Sequence, residues 1–112
     1  MLNKLLLPLV LLIFLSITLL AENTQEIKIK TSAQCEQCKE RIEKALNKSK
    51  GILKSELDLE TKEAIVTFDA DQTDAQKIRE IISKTGYDAD DVPANKKAYN
   101  KLPKCCKKGG HD

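Results

Sequence analysis

The chain has 112 residues, with 19 Lys or Arg against 17 Asp or Glu and a formal net charge of +2 at pH 7. Aromatic residues make up 4% and no basic face stands out, so the sequence offers no footing for nucleic-acid binding. The size suits one small domain with a modest core. No Ser/His/Asp set, carboxylate pair or phosphate-cradling glycine loop supports hydrolysis or nucleotide use.

Lys4 precedes an almost wholly apolar, uncharged run from Leu5 to Leu20, which gives way at Ala21 to Glu22, Asn23 and Thr24. A basic start, an apolar middle and a small residue at the exit predict an export signal over residues 1–21. Leu19 suits the other small position of a cleavage site poorly. The run falls short of the roughly 20 apolar residues that span a bilayer, which favours a cleaved signal over an uncleaved membrane anchor. The expected location is therefore the periplasm or the exterior, with membrane contact only through this segment; anchoring by an uncleaved signal is the alternative. Residues 22–25 form a short linker. Without Lys4 the balance is 18 basic against 17 acidic residues, nearly neutral.

Ile27 and Ile29 alternate with Lys28 and Lys30, which predicts a short strand with one buried face. Thr31 to Gln34 is a loop. From Glu36 the period changes: Ile42, Ala45 and Leu46 fall at i, i+3 and i+4, with Cys38 one turn before Ile42, and this predicts a helix. Gly51 ends it after Lys48 and Lys50. Leu53, Ser55, Leu57 and Leu59 are expected to point inward, and Lys54, Glu56 and Asp58 outward. A polar turn from Glu60 to Glu63 leads to a second inward face at Ala64, Val66 and Phe68, making a hairpin. Asp71 to Asp74 supplies capping residues for a second helix marked by Ala75, Ile78, Ile81 and Ile82, which stops at Gly86. Tyr87 to Val92 is the last, weak edge strand, since Asp88, Asp90 and Asp91 disfavour it.

Strand, helix, strand, strand, helix, strand over residues 26–92 predicts an α+β, ferredoxin-like βαββαβ sandwich, two helices on a four-stranded antiparallel sheet. Residues 93–112 form a tail. In it Ala94, Ala98 and Leu102 are four apart and suit a short helix before Pro103, and Lys104 to Asp112 is expected to be mobile.

The four cysteines come as a C-x-x-C pair, Cys35 and Cys38, and an adjacent pair, Cys105 and Cys106. An exported chain with four cysteines normally forms disulfides. Bridges inside such pairs close tiny loops and constrain little of the unfolded chain, so a stapling role is disfavoured. Cys35 falls in the loop before the first helix and Cys38 in its first turn. There the positive helix end lowers thiol pKa values and favours thiolate. Two thiolates suit a soft ion of low coordination number such as Cu(I), whereas Zn(II) usually wants four ligands. With no histidine beside the pair, Cu(I) is preferred, and Hg(II), Zn(II) and Cd(II) stay open. A second reading makes the pair a thiol–disulfide oxidoreductase, with Cys35 as nucleophile and Cys38 as resolving thiol. That fold usually needs more chain and a proline opposite the pair, whereas Pro93 and Pro103 lie in the tail. A third reading has oxidised thiols in a domain that merely docks to a partner.

Ser32-Ala33-Gln34-Cys35-Glu36-Gln37-Cys38, Ile42, Leu46, Gly51, Ala64-x-Val66-x-Phe68-Asp69 and Gly86-Tyr87-Asp88-Ala89 together resemble the heavy-metal-associated domain family over residues 26–92. The family includes copper chaperones, amino-terminal modules of metal-pumping ATPases and exported mercury-binding proteins. The resemblance implies a non-enzymatic, monomeric protein that holds one metal ion between Cys35 and Cys38. It implies release by ligand exchange to a metal-transporting ATPase or another metal-handling protein. Ala33 stands where the family commonly has a methionine tucked under the metal loop, which puts affinity and metal choice in question. Tyr87 stands where a family residue lies beside that loop, either shielding the metal or serving as a core-edge aromatic.

Cys105, Cys106 and His111 form a second soft-ligand cluster. About 12 residues separate Val92 from Cys105, enough to reach back at roughly 3.3 Å each if extended and less if Ala94 to Leu102 is helical. A four-sulfur Zn or Cd site that uses the tail cysteines is thus one reading.

Overall fold

A computed structural model describes residues 23–109. The expected export signal, residues 1–21, and His111 lie outside the described residues. The elements in chain order are β1 (Thr24–Lys30), α1 (Glu36–Asn47), β2 (Ile52–Asp58), β3 (Glu63–Asp69), α2 (Ala75–Thr85), α3 (Lys96–Asn100) and one 3-10 turn (Lys104–Cys106). Among these residues no helix is long and apolar enough to cross a membrane.

The three strands form one antiparallel sheet in the order β1-β3-β2. Ile29 pairs with Ala64 and Ile27 with Val66, which puts their side chains on one face. That face meets Cys38, Ile42 and Leu46 of α1 and Ile78 and Ile82 of α2 in a single core. Spacings of four on each helix make one apolar stripe, so burial of the stripes, more than helix propensity, holds both helices on the sheet. Strand β1 begins at Thr24, inside the expected linker, because the far end of β3 offers partners: Thr24 pairs with Asp69 and Gln25 with Phe68.

The expected inward row of the hairpin is corrected at one position. Leu53 is 58% exposed, the one large apolar residue so placed among the described residues. The register slips between Ile52 and Lys54: Ile52 faces Phe68 and Lys54 faces Thr67, so Leu53 is the extra residue of a bulge. Beyond the slip, Ser55 and Leu57 face Val66 and Ala64, as the alternation requires.

The expected fourth strand is also corrected: among the described residues the sheet has three. Tyr87 to Val92 makes only isolated bridges, Thr31 with Ala89 and Ala89 with Val92. Ala89 and Val92 exchange both backbone hydrogen bonds at 2.9 Å, which folds the segment back on itself. Asp90 between them has φ 53 and cannot continue an extended chain. Its carboxylate replaces the missing ladder. Oδ1 accepts the Lys30 amide at 2.9 Å, Oδ2 accepts Arg79 Nε at 2.9 Å, and the Asp90 amide donates to Lys30 O at 2.8 Å.

Helix α2 starts at Asp74, whose carboxylate accepts the Lys77 amide at 2.8 Å, and ends at Gly86 with φ 109. A Cβ on Gly86 would lie 3.1 Å from the Ala98 carbonyl carbon and 3.2 Å from Leu102 Cδ1. The glycine therefore lets α3 and Leu102 pack directly on the end of α2. Of the segment from Lys104 onward that composition marks as mobile, residues 104–109 are described, and they begin with a 3-10 turn, Lys104–Cys106, packed on the domain. Asn95 caps α3 through the Ala98 amide at 3.0 Å, Leu102 is buried, and Cys106 joins the core.

Candidate metal centre

Cys35 is the N-cap of α1, in extended conformation, and Cys38 lies in the first turn. Both Cys38 N and Lys39 N donate to Cys35 O, at 3.0 and 3.1 Å, so the helix opens at the first thiol. The loop before it is fixed at three points. Thr31 Oγ1 donates to Lys62 O at 2.8 Å, the Ala33 amide donates to Thr31 Oγ1 at 3.2 Å, and the Asp88 amide donates to Ser32 Oγ at 2.8 Å. Ala33 is fully buried under this loop.

The fold brings both cysteine pairs to one place. Cys35 Sγ lies 3.3 Å from Cys38 Sγ, 3.6 Å from Cys105 Sγ and 3.5 Å from Cys106 Sγ, and the two tail sulfurs are 3.9 Å apart. All four cysteines are free thiols. Cys38 and Cys106 are buried, while Cys35 and Cys105 are partly open. Cys35 is thus the hub, in contact with each of the other three. For zinc–sulfur bonds of about 2.3 Å the edge of a thiolate tetrahedron is about 3.8 Å, whereas two sulfurs on opposite sides of one ion stand about 4.6 Å apart. The four contacts given above fall on the tetrahedral side of that divide, and Cys35, Cys105 and Cys106 form the mutually close group.

Burial works to raise the Cys35 pKa, but the Cys38 amide and the thiols of Cys38, Cys106 and Cys105 outweigh it and bring it down to about 6. Cys106 goes the other way: burial first, then Cys38, push it up to about 12. Cys105 is raised, chiefly by Cys35. A thiolate at Cys35 therefore sits beside two tail thiols, Cys105 and Cys106, whose own ionisation is disfavoured.

Tyr87 is fully buried, and its hydroxyl has no hydrogen-bond partner among the described residues. Burial raises its pKa, with the nearby Cys38 and Cys106 adding to the rise. It is a core aromatic whose polar tip lies near Cys38 and Cys106.

Sequence reasoning passed over the residues that hold the tail in place. The Asp88 carboxylate accepts the Ala94 amide at 2.9 Å and pairs with Lys108 Nζ at 2.5 Å, which keeps its pKa below the usual carboxylate range. Ser83 Oγ donates to Pro93 O at 2.7 Å, and the Lys108 amide donates to Tyr99 Oη at 3.2 Å. The only local signal was the spacing of Ala98 and Leu102. Partners this far apart in sequence leave no periodic trace.

The family profile described as "Heavy-metal-associated domain" matches residues 31–88. Over 76 residues, 68% of the chain, the sequence is 41% identical to a copper-exporting P-type ATPase of Staphylococcus aureus (strain Newman), and this stretch is 9% of that ATPase. Among solved structures, oxidized MerP from Ralstonia metallidurans CH34 is similar at 31% identity and TM-score 0.57, covering 59% of this chain and 93% of that one. A copper binding domain from HMA7, a P-type ATPase, is similar at 27% identity and TM-score 0.56, covering 58% of this chain and 89% of that one.

Proposed function

The chain belongs to the heavy-metal-associated domain family, and from that premise we propose that it binds one soft, thiophilic metal ion through Cys35 and Cys38 and carries or buffers it outside the cytoplasm. The observation that carries this reading is the placement of both thiols at the open end of α1, Cys35 as its N-cap and Cys38 in its first turn, with Cys35 favoured as thiolate near neutral pH. A thiolate is the form that ligates a soft cation. Cu(I) is the preferred cargo. Supporting it are the soft-donor set and the likeness to a copper-exporting ATPase and to a copper binding domain of another ATPase. The protein acts as a binding module rather than an enzyme, receiving or delivering its ion by exchange with a metal-transporting ATPase or another metal-handling protein. Export rests on the apolar run from Leu5 to Leu20 after Lys4.

The test is anaerobic titration of the reduced chain with Cu(I) against a competing chelator. Wild type is expected to take up one equivalent, and the Cys35→Ser, Cys38→Ser variant to lose it. Failure of the reduced wild type to bind stoichiometrically would remove the reading. Insulin reduction by the same sample would favour the oxidoreductase instead.

A further inference from the structure

We propose that Cys105 and Cys106 are metal ligands in their own right, and that with Cys35 and Cys38 they make a four-thiolate site that accepts a tetrahedral soft divalent cation, Cd(II) or Zn(II). The proposal rests on the reading of Cys35 and Cys38 as ligands and extends it to residues outside the matched region, which ends at 88.

Three observations carry it. The first is distance. Cys35, Cys105 and Cys106 offer three sulfurs within 4.8 Å of one another, and the four contacts centred on Cys35 and the tail pair run from 3.3 to 3.9 Å. A tetrahedral thiolate shell has six edges of about 3.8 Å; four are given by these contacts, and Cys38, which touches Cys35 but lies outside the mutually close trio, must swing toward the tail thiols to complete it.

The second is that the tail pair is placed by the fold on both of its flanks. On the near side, Leu102 is buried against Gly86, where a Cβ would collide with Ala98 and Leu102. On the far side, Lys108 is tied to Asp88 through its ammonium and to Tyr99 through its amide. Asp88 in turn receives Ala94 and gives its own amide to Ser32 in the loop before Cys35. The strap that positions the tail thiols and the loop that positions the first pair therefore share one residue.

The third is the Tyr87 hydroxyl, a fully buried donor without a partner among the described residues, next to Cys38 and Cys106. Buried polar groups without partners are rare. Metal-bound thiolates at Cys38 and Cys106 would present a charged acceptor to that hydroxyl, and such hydrogen bonds are stronger than those to a neutral thiol.

The experiment uses Cd(II) alone as the probe on the reduced full chain, with X-ray absorption to count sulfur neighbours and chelator competition to measure affinity. Wild type is expected to show four sulfurs. Cys105→Ser alone, a change at a partly open position, is expected to show three. Cys105→Ser with Cys106→Ser is expected to show two sulfurs plus light ligands. The double variant should bind Cd(II) at least about 100-fold more weakly, since losing direct ligands exceeds the 10–100-fold loss typical of outer-shell partners. Two sulfurs in wild type, or unchanged affinity in the double variant, would overturn the proposal while leaving Cu(I) uptake at Cys35 and Cys38 intact. Loss of all metal uptake by wild type overturns both readings together. A variant that fails to fold is recognised by its metal-free circular dichroism, and Cys105→Ser then decides the matter by its sulfur count.

Discussion

Replacing Gly86 with alanine tests whether the tail is packed on the domain as tightly as described. Two costs add. An L side chain at φ 109 meets the left-handed penalty of about 1–2 kcal/mol. A Cβ 3.1 Å from the Ala98 carbonyl carbon, 3.2 Å from its oxygen and 3.2 Å from Leu102 Cδ1 must push α3 away, an overpacking cost of about 1–3 kcal/mol. Alanine recovers about 0.4–1 kcal/mol by restricting the unfolded chain. The net is a loss of about 1–5 kcal/mol, or roughly 5–35 °C in Tm for a domain of this size. Urea unfolding of reduced, metal-free protein measures it. Asparagine tolerates the left-handed region better but carries the same Cβ, so Gly86→Asn should fall between wild type and alanine. A loss below about 0.5 kcal/mol for alanine, or an asparagine variant as stable as wild type, would refute the close approach of α3.

Leu102→Ala should cost about 2–5 kcal/mol, the range for truncating a buried leucine. It should also speed alkylation of Cys106 in the folded state; peptide mass mapping of the modified thiols checks the second effect, and unchanged Cys106 protection would count against Leu102 as the anchor. In metal-free reduced protein, alkylation of Cys35 should reach half its maximal rate near pH 6, where its lowered pKa places it, and a midpoint near 9 would contradict the arrangement of thiols. The stability profile follows with its sign. Because the folded pKa of Cys35 lies below its ordinary value of 9.0, its contribution is complete above 9.0 and is lost as pH falls through about 6. Cys106, raised to about 12, acts oppositely: its contribution is present below 9.0 and is lost as pH rises towards about 12. Chemical denaturation between pH 5 and 11 should therefore show stability rising to about 9 and falling beyond it.

The parts of the fold that local pattern could reveal were those whose cause is local. The stripe of Cys38, Ile42 and Leu46 and that of Ile78 and Ile82 marked both helices, because side chains four apart share a face. Asp74 and Gly86 marked the ends of the second. The hairpin was legible in outline, but a single inserted residue at Leu53 leaves the alternation looking intact while turning one leucine outward. The segment from Tyr87 to Val92 had the composition of a poor strand. What decided its path was Asp90 in the left-handed region, bonded to Lys30, a partner distant in sequence. The site divides the same way. The thiols at the mouth of α1 are set by three residues of spacing, whereas the approach of Cys105 and Cys106 to Cys35 depends on packing across about 70 residues. Reach alone allowed that approach; Gly86, Leu102 and the Asp88–Lys108 pair select it.

The two outer strands are also guarded against recruiting a neighbour. Along β2, Glu43 takes the Leu57 amide at 2.8 Å and Lys39 donates to the Leu57 carbonyl at 3.1 Å, while the bulge at Leu53 bends the remainder out of register. Along β1, Asp90 occupies both backbone groups of Lys30. An incoming extended chain would find those bonding groups already engaged at one end of each rim, and could not zip along its length without first displacing a charged side chain. A domain with four free thiols thus has a backbone that resists stacking into fibrils even when those thiols meet the thiols of another copy.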